Sequence, residues 1–197
     1  MSISAETVSE LRRQTGAGLM DAKRALEQTR GDMAQAAERL RVQGLARAHS
    51  RSAREARQGM IKAYTHSDRI GAMVELLCES DFVARSEPFR ALASDLAMQV
   101  AASDPEYLTP TEVPAEVVAR ERKLALEEAQ AAGKPESAQE EITRGKLEKF
   151  YQERCLLRQP FIKDEKKSVE ELIAEVASIL GEKVELRRFA RFALAEE

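Results

Sequence analysis

Apolar residues recur at helical spacing in three short segments at the start of the chain, which predicts three amphipathic helices. Ser4 and Asp32 can cap the first and third helices, because their side chains can accept hydrogen bonds from unpaired backbone N–H groups. A glycine turn is expected at residues 15–18, and Gly44 is expected to end the third helix. The predicted helices span residues 4–15, 19–29 and 32–44.

The pattern changes from helical to alternating at Gly59. Apolar and polar side chains alternate over residues 61–66 and 70–78, and a turn at 67–68 separates the two runs, which predicts a β-hairpin with one buried face. Residues 183–194 alternate in the same way, so we expect a third strand that pairs with the hairpin. The alternating apolar residues are Ile61 and Ala63 in the first strand, Ile70, Ala72, Val74, Leu76 and Cys78 in the second, and Val184, Leu186, Ala190, Phe192 and Leu194 in the third.

Further helical regions follow the hairpin. Pro88 opens a helix with a strong apolar stripe, and Ser168 with Glu171 forms a capping box for another helix. Residues 115–157 contain two highly charged helices, whose thin apolar stripes indicate a pair that projects or packs on one side only. The expected inward residues of the two less charged helices are Phe89, Leu92, Leu96, Val100, Val169, Leu172, Ile173, Val176 and Leu180.

Together these elements predict an α+β fold. It consists of an N-terminal three-helix module, a basic linker, and an antiparallel three-stranded sheet packed with helices. The expected domains are the helical module over residues 1–44, the linker over 45–58, and the α+β core over 59–197.

The composition is that of a globular protein. Of 197 residues, 43% are hydrophobic and 33% charged, and 31 basic against 34 acidic side chains give a net charge of −3. This balance argues against a protein that mainly coats nucleic acid or an anionic membrane.

No N-terminal apolar run is present and no stretch approaches the ~20 apolar residues of a membrane span, so we expect a soluble, cytoplasmic protein without membrane contact. Cys78 and Cys155 lie far apart and are expected to be reduced thiols.

One segment departs from this charge balance. Residues 41–62 carry six basic side chains and one acidic side chain, a net charge of +5. Because no proline precedes Pro88, the linker is expected to continue as helix. Two interpretations remain open, a solvated linker helix or a docking surface for an acidic partner or RNA.

Candidate catalytic residues are sparse. His49 and His66 are the only histidines, and neither lies at metal-ligand spacing from the other or from a cysteine. Gly16 and Gly18 lack the preceding strand and the third glycine of a dinucleotide-binding loop, and no Walker-type loop is present. The sequence therefore predicts no metal site, no cofactor and no enzyme activity.

A short link over residues 80–86 joins the second strand to the next helix and places Phe82 beside Asp81. Two arrangements fit these residue types. Phe82 fills the core while Asp81 caps a turn, or Phe82 is exposed and enters a partner. The residues by themselves favour the core position, and the exposed position is the alternative.

Three groups of motifs, in order along the chain, resemble the elongation factor Ts family, the nucleotide exchange factors of elongation factor Tu. The first is LRRQTGAGLMDAKRAL at residues 11–26, and the second is ELLCESDFVAR at residues 75–85. The third combines Gly-Lys-Pro at 133–135, Gly-Lys-Leu at 145–147 and Gln-Pro-Phe at 159–161. Because the order holds over essentially the whole chain, the match is specific.

The resemblance implies a ubiquitin-associated-like module that docks on the partner's GTPase domain through Arg12, Leu19 and Met20. Adjacent helical residues lie about 100° apart, so we expect one of Leu19 and Met20 to be exposed. The resemblance also implies that four residues dislodge the magnesium ion of elongation factor Tu, and it favours an exposed Phe82. These four residues are Ser80, Asp81, Phe82 and Val83.

The implied function is to bind elongation factor Tu in its GDP-bound and nucleotide-free forms, and to promote GDP release and exchange for GTP. Ser80 and Ser86 depart from the residues usual in the family. The chain has material for one sheet unit where longer members have two related halves, so a homodimer is expected. We expect no direct contact with nucleic acid. The alternative is an RNA-binding accessory protein that uses the three-helix module and the basic linker.

Overall fold

The computed structural model describes residues 3–15, 17–51 and 53–194. Its N-terminal module consists of helices α1 (Ala5–Thr15), α2 (Leu19–Gln28) and α3 (Met33–Arg51). The expected caps of α1 and α3 are present, since Ser4 Oγ accepts from the Thr7 N–H at 3.1 Å and Asp32 Oδ1 accepts from the Gln35 N–H at 3.0 Å. The glycine turn includes residue 16, which lies outside the described residues. The module encloses a small core of Val8, Leu11, Ala22, Ala25, Leu26, Ala36 and Leu40.

The predicted hairpin and third strand are confirmed. Strand β1 (Gln58–His66) pairs with β2 (Ile70–Cys78). Three residues, 67–69, connect the paired ends His66 and Ile70. Ser67 and Asp68 have φ of 50° and 54°, and the Arg69 N–H donates to the His66 carbonyl oxygen at 3.0 Å, which closes the turn. After β2 come the short helix α4 (Asp81–Ala84) and the long helix α5 (Glu87–Ser103).

Helices α6 (Ala115–Ala131) and α7 (Glu136–Arg154) form the predicted charged pair. They are joined by a short loop and pack mainly on each other. A small apolar seam with Ala125 and Ala129 lies between them, and Thr143 is buried on the facing helix. Lys146 and Glu128 form an ion pair across the seam. The thin apolar stripes therefore fit a pair that projects from the core.

The rest of the chain contains β3 (Pro160–Phe161), β4 (Asp164–Ser168), α8 (Val169–Leu180) and β5 (Val184–Ala193). Strand β5 pairs antiparallel with β2, and the sheet order is β1-β2-β5. The capping box of Ser168 and Glu171 is confirmed at the start of α8. The small β3–β4 hairpin and the two 3-10 turns at Pro110–Glu112 and Leu156–Arg158 were not predicted.

Helices α5 and α8 cover one face of the sheet, which confirms the α+β architecture. The predicted stripe of α5 is buried throughout, from Phe89 to Val100. Buried Gln99 ties α5 to the β3–β4 hairpin, because it donates to the Pro160 carbonyl at 3.1 Å and accepts from the Ile162 N–H at 2.9 Å. The sequence between 159 and 162 is thereby fixed to the core.

The buried face of β1 differs from the prediction. Ile61 is 62% exposed, whereas Met60 and Tyr64 pack against the core. The register explains this, since Met60 pairs with Leu76 and Ile61 pairs with Glu75. Residues opposite each other in a sheet share a face, so the buried face of β2 selects Met60 and turns Ile61 to solvent. The expected inward position of Ile61 and Ala63 is therefore wrong.

The third strand also departs from its predicted alternation. Val184 and Leu186 are buried as expected, but Phe192 is 77% exposed and Leu194 is exposed too. An irregularity in the β2–β5 pairing inserts an extra residue on β5, since Glu75 lies opposite Arg188 and Leu76 lies opposite Leu186. A bulge reverses the side-chain parity of the residues that follow. The alternating apolar residues of this strand therefore do not share one face. Val184 and Leu186, before the bulge, face the core, and Phe192, after it, faces solvent.

Helix α3 does not end at Gly44 but continues to Arg51. A glycine inside a helix costs only about 1 kcal/mol, and packing of α3 along α8 offsets this cost. Gly44 faces Ser178 of α8, where an added Cβ would lie 3.8 Å from the serine Cβ. Arg41 forms an ion pair with Glu171 of α8. The module is therefore in contact with the core, and the predicted helix end at residue 44 is wrong.

Cys78 and Cys155 are buried and unpaired with each other, as expected of reduced thiols. Burial raises the pKa of each thiol to about 11, so both stay protonated at neutral pH.

Among the helices of the described residues, none combines the length and apolar character needed to cross a bilayer. In the same part of the chain, no three acidic, cysteine or histidine side chains are grouped to hold a metal ion.

We expect Gly59→Ala to destabilise the core. Gly59 has φ of 150°, and a Cβ there would lie 2.1 Å from the Leu76 carbonyl oxygen, so the paired backbone must shift. The expected loss is at least ~2 kcal/mol in the free energy of unfolding, measured by urea denaturation. Gly71→Ala is the matched control, because a Cβ at Gly71 meets nothing within 4 Å. Equal midpoints for the two variants would contradict this account.

Candidate functional site

A two-residue connection, Glu79 and Ser80, joins the end of β2 to α4. Ser80 caps α4, since its Oγ accepts from the Val83 N–H at 3.3 Å. At the other end, Ser86 Oγ donates to the Val83 carbonyl oxygen at 2.8 Å. A helix of four residues makes too few internal hydrogen bonds to be stable by itself, so its shape depends on the neighbouring structure.

Val83 anchors this helix and Phe82 projects from it. Val83 is buried in the main core, whereas Phe82 is 81% exposed. The two side chains lie about 100° apart around the helix, so burying one directs the other outward. The structure has the exposed phenylalanine, so the core position that the residue types favoured is wrong.

The remaining predicted residues of this turn differ in availability. Ser80 is half-buried and its hydroxyl is engaged within the protein. Asp81 is exposed and pairs with Arg85 at 3.1 Å. An exposed ion pair contributes less than ~1 kcal/mol, so Asp81 can exchange Arg85 for another cation at little cost. Of the four predicted contact residues, only Asp81 and Phe82 direct their side chains to solvent.

Glu182, between α8 and β5, is a residue of this site that the sequence reasoning missed. Its Oε2 accepts from the Glu79 and Ser80 N–H groups at 3.1 and 3.0 Å, and its Oε1 accepts from Ser80 Oγ at 2.6 Å. Ser80 and Glu182 are 102 positions apart in sequence. No periodicity or local motif connects residues so distant, which is why the pattern gave no signal for it.

A basic surface borders α4. Lys62, Arg85 and Arg90 line a shallow depression beside the helix, together with Glu87. This depression has an excess of positive charge, and Arg85, the C-cap residue of α4, connects it to the helix that carries the exposed Phe82. Such a surface is suited to contact with an acidic partner surface.

The second predicted contact surface lies on the N-terminal module. Leu19 and Met20, in the first turn of α2, are 55% and 64% exposed. Both are therefore exposed, whereas only one was expected to be. The positions of α2 that face the core are Ala22, Ala25 and Leu26. Arg12 Nε donates to the Ala17 carbonyl at 3.3 Å and so ties the end of α1 to the chain before α2.

The structure thus divides the predicted contact residues between two hydrophobic cores. Residues 80–83 lie on one turn of the main core, and Arg12, Leu19 and Met20 surround the α1–α2 connection of the module. Adjacent exposed apolar side chains on a module with so small a core are typical of a contact surface.

A third surface is the face of the sheet opposite α5 and α8, here called the outer sheet face. Pairing aligns Ala63, Met73 and Ala190 in one row and Gly71 with Phe192 in the next. Exposed Ile61 and Leu194 extend this apolar area. A hydrogen bond from Arg188, supported by Arg187, holds the pKa of Glu75 on this face below its usual value, so the carboxylate stays charged at neutral pH.

Comparison with known proteins identifies one family. A family model described as Elongation factor TS matches residues 3–196. The elongation factor Ts of Syntrophomonas wolfei subsp. wolfei is 51% identical over 98% of this chain and 91% of its own length. The elongation factor Ts of Moorella thermoacetica is 51% identical over 98% of this chain and 96% of its own length. That of Thermodesulfovibrio yellowstonii is 47% identical over 100% of this chain and 98% of its own length.

We expect Phe82→Ala to leave folding stability nearly unchanged. The exposed ring makes little contact with the core, so the free energy of unfolding should change by less than ~0.5 kcal/mol. Phe89→Ala is the matched control, because Phe89 is fully buried and its loss leaves a cavity that costs ~3–5 kcal/mol. Urea denaturation of both variants measures the difference. A loss of several kcal/mol for Phe82→Ala would mean that the ring is part of the core.

Proposed function

The chain belongs to the elongation factor Ts family, as its motifs predicted, and from this premise we propose that it is a guanine nucleotide exchange factor for elongation factor Tu. It binds elongation factor Tu loaded with GDP, dislodges magnesium, promotes GDP release, and holds the nucleotide-free form until GTP enters. The observation that carries this proposal is the exposed Phe82 on a turn that is anchored to the core by Val83.

The proposed action follows from the role of magnesium in nucleotide binding. The ion bridges phosphate oxygens and protein ligands, so its displacement removes a large electrostatic contribution to GDP affinity. Phe82 supplies a rigid apolar wedge, and the exposed carboxylate of Asp81 supplies charge beside it. By linkage, a factor that weakens nucleotide binding must itself be weakened by nucleotide to the same degree, so GTP expels it.

Docking of the module is the second part of the proposal. Leu19 and Met20 provide the exposed apolar contact, and Arg12 stabilises the α1–α2 connection that presents them. The module then holds the factor on the GTPase domain while Asp81 and Phe82 enter near the magnesium site. No covalent bond changes in this cycle, so the proposal assigns no enzyme activity and no cofactor, and it sets the cycle in the cytoplasm.

The alternative function, RNA binding by the module and linker, has only the local charge of residues 41–62 in its favour. The net charge of the whole chain is −3, which opposes binding to phosphate backbones. RNA binding that weakens steeply with added salt, together with no effect on GDP release, would favour the alternative over exchange.

We expect Phe82→Ala to slow exchange. Loss of a central aromatic contact typically costs ~2 kcal/mol or more, so GDP release from elongation factor Tu at saturating factor should fall by at least about tenfold. Asp81→Ala should slow GDP release less than Phe82→Ala does. Excess magnesium should slow the GDP release that the wild-type protein promotes. Release of fluorescent GDP, followed by stopped flow, measures all three.

Ile162→Ala is the matched control for this experiment, because Ile162 is an exposed apolar residue remote in sequence from the turn. It should exchange GDP at the wild-type rate. If Phe82→Ala releases GDP as fast as Ile162→Ala, the ring is not the wedge. If the wild-type protein does not accelerate release at all, the proposed function is wrong.

We further propose that two copies associate through the outer sheet face. One face of the sheet is covered by helices, while the other exposes Ile61, Met73, Phe192 and Leu194. A second copy of this face would bury them in a sheet-on-sheet layer about 10 Å thick. Such a two-fold contact is self-complementary, because each copy presents the same patch to the other.

We expect Phe192→Asp to separate the two copies. It places a charge within the proposed contact without removing core packing, since Phe192 is largely exposed. Light scattering should give the mass of two chains for the wild-type protein and of one chain for the variant. Ile179→Asp, at an exposed position of α8, is the control and should keep the mass of two chains. A wild-type mass of one chain at micromolar concentration would refute the homodimer.

A further inference from the structure

We propose that Glu182 is a positioning residue for exchange, whose carboxylate fixes the turn that presents Asp81 and Phe82. The inference rests on the proposed function, because Glu182 is given no contact with the partner. It acts through the backbone of Glu79 and Ser80, the two residues that lead from β2 into α4.

The contacts of Glu182 account for both of its oxygens. One oxygen accepts two backbone N–H groups, from Glu79 and Ser80, and the other accepts the Ser80 hydroxyl at 2.6 Å. Hydrogen bonds to an ionised acceptor are roughly twice as strong as those between neutral groups. The same Ser80 hydroxyl accepts the Val83 N–H, so the carboxylate is linked through one atom to the cap of α4.

The connection is reciprocal. While Glu182 accepts from the Glu79 N–H, the Glu79 carboxylate accepts from the Lys183 N–H at 2.6 Å. Two consecutive residues of the β2 end are thereby joined to two consecutive residues before β5. Gly181, with φ of 75°, ends α8 and turns the chain into this contact. We call Glu79, Ser80, Glu182 and Lys183 the turn clasp.

The turn clasp constrains the direction in which α4 leaves the sheet. A four-residue helix cannot maintain its own direction, and of its side chains only Val83 is buried, with Ala84 partly buried against the core. Without the carboxylate, Val83 would still hold α4 to the core, but the backbone at 79–80 could reorient and Phe82 would occupy several positions. A wedge must be oriented before it meets its target, because a misplacement of ~1 Å can cost up to ~10²-fold in rate.

Glu182→Ala and Glu182→Asp test the proposal, with Glu182→Gln as rescue. Alanine removes the carboxylate, and aspartate keeps the charge but is one methylene too short to reach the three donors. Glutamine keeps a carbonyl oxygen for the two backbone N–H groups, and its amide can donate to Ser80 Oγ. Glu185→Ala is the matched control, since Glu185 is an acidic residue three positions after Glu182 and its side chain pairs with the Lys183 side chain, not with the backbone of residues 79–80.

Two readouts separate positioning from general destabilisation. The first is GDP release from elongation factor Tu, as the rate at saturating factor and the half-saturating factor concentration. We expect Glu182→Ala and Glu182→Asp to lower the saturating rate by about tenfold or more while half-saturation stays within about twofold, and Glu182→Gln to restore most of the rate. The second is amide hydrogen exchange, which should quicken at residues 83–85 and stay unchanged in β2.

The outcomes are decisive in each case. Wild-type saturating rates in Glu182→Ala and Glu182→Asp overturn the proposal, whether or not α4 loosens. Equal losses in Glu182→Ala and Glu185→Ala, or failure of Glu182→Gln to rescue, also overturn it. If Glu182→Ala loosens β2 as well, Glu182→Asp decides by the same criteria. A wild-type protein that does not accelerate GDP release refutes the proposed function instead, and hydrogen exchange at residues 83–85 then still tests the turn clasp.

Discussion

The packing of α5 and α8 against one face of a three-stranded sheet is the constraint on which the rest of the structure depends. It selects the buried face of β2, and through strand pairing it decides that Met60 points inward and Ile61 outward. It also buries Val83 immediately after the central strand, which leaves Phe82 no place in the core. The exposed ring and the uncovered outer sheet face thus have the same origin.

Features encoded by neighbouring residues could be predicted from the sequence. The capping box of Ser168 and Glu171, the helical spacing of the stripe that includes Phe89, and the alternation of the hairpin are patterns that neighbouring residues carry in the sequence itself. The bulge opposite Glu75 could not be predicted, because it arises from how β5 meets β2 across more than a hundred residues. The helix end predicted at Gly44 was wrong for a related reason, since contact with α8 supports the helix that a glycine would otherwise weaken.

The candidate site shows the same division. The residue types favoured a buried Phe82, and only the motif resemblance favoured the exposed position that the structure has. The same resemblance, and no local pattern, indicated that Leu19 and Met20 are contact residues. Glu182 had no signal, because a carboxylate that binds backbone N–H groups from a distant segment looks, in sequence, like any other acidic residue.

If the module and the turn with Phe82 bind one partner as proposed, the continuous helix α3 determines how the two contacts combine. It is 19 residues long, or about 28 Å at 1.5 Å per residue, and it is tied to α8 by the Arg41–Glu171 ion pair and by the contact at Gly44. The module and the turn with Phe82 are therefore held at a set separation. Once one of them is bound, the other is delivered at a high effective concentration, whereas a flexible tether would dilute it over a large volume.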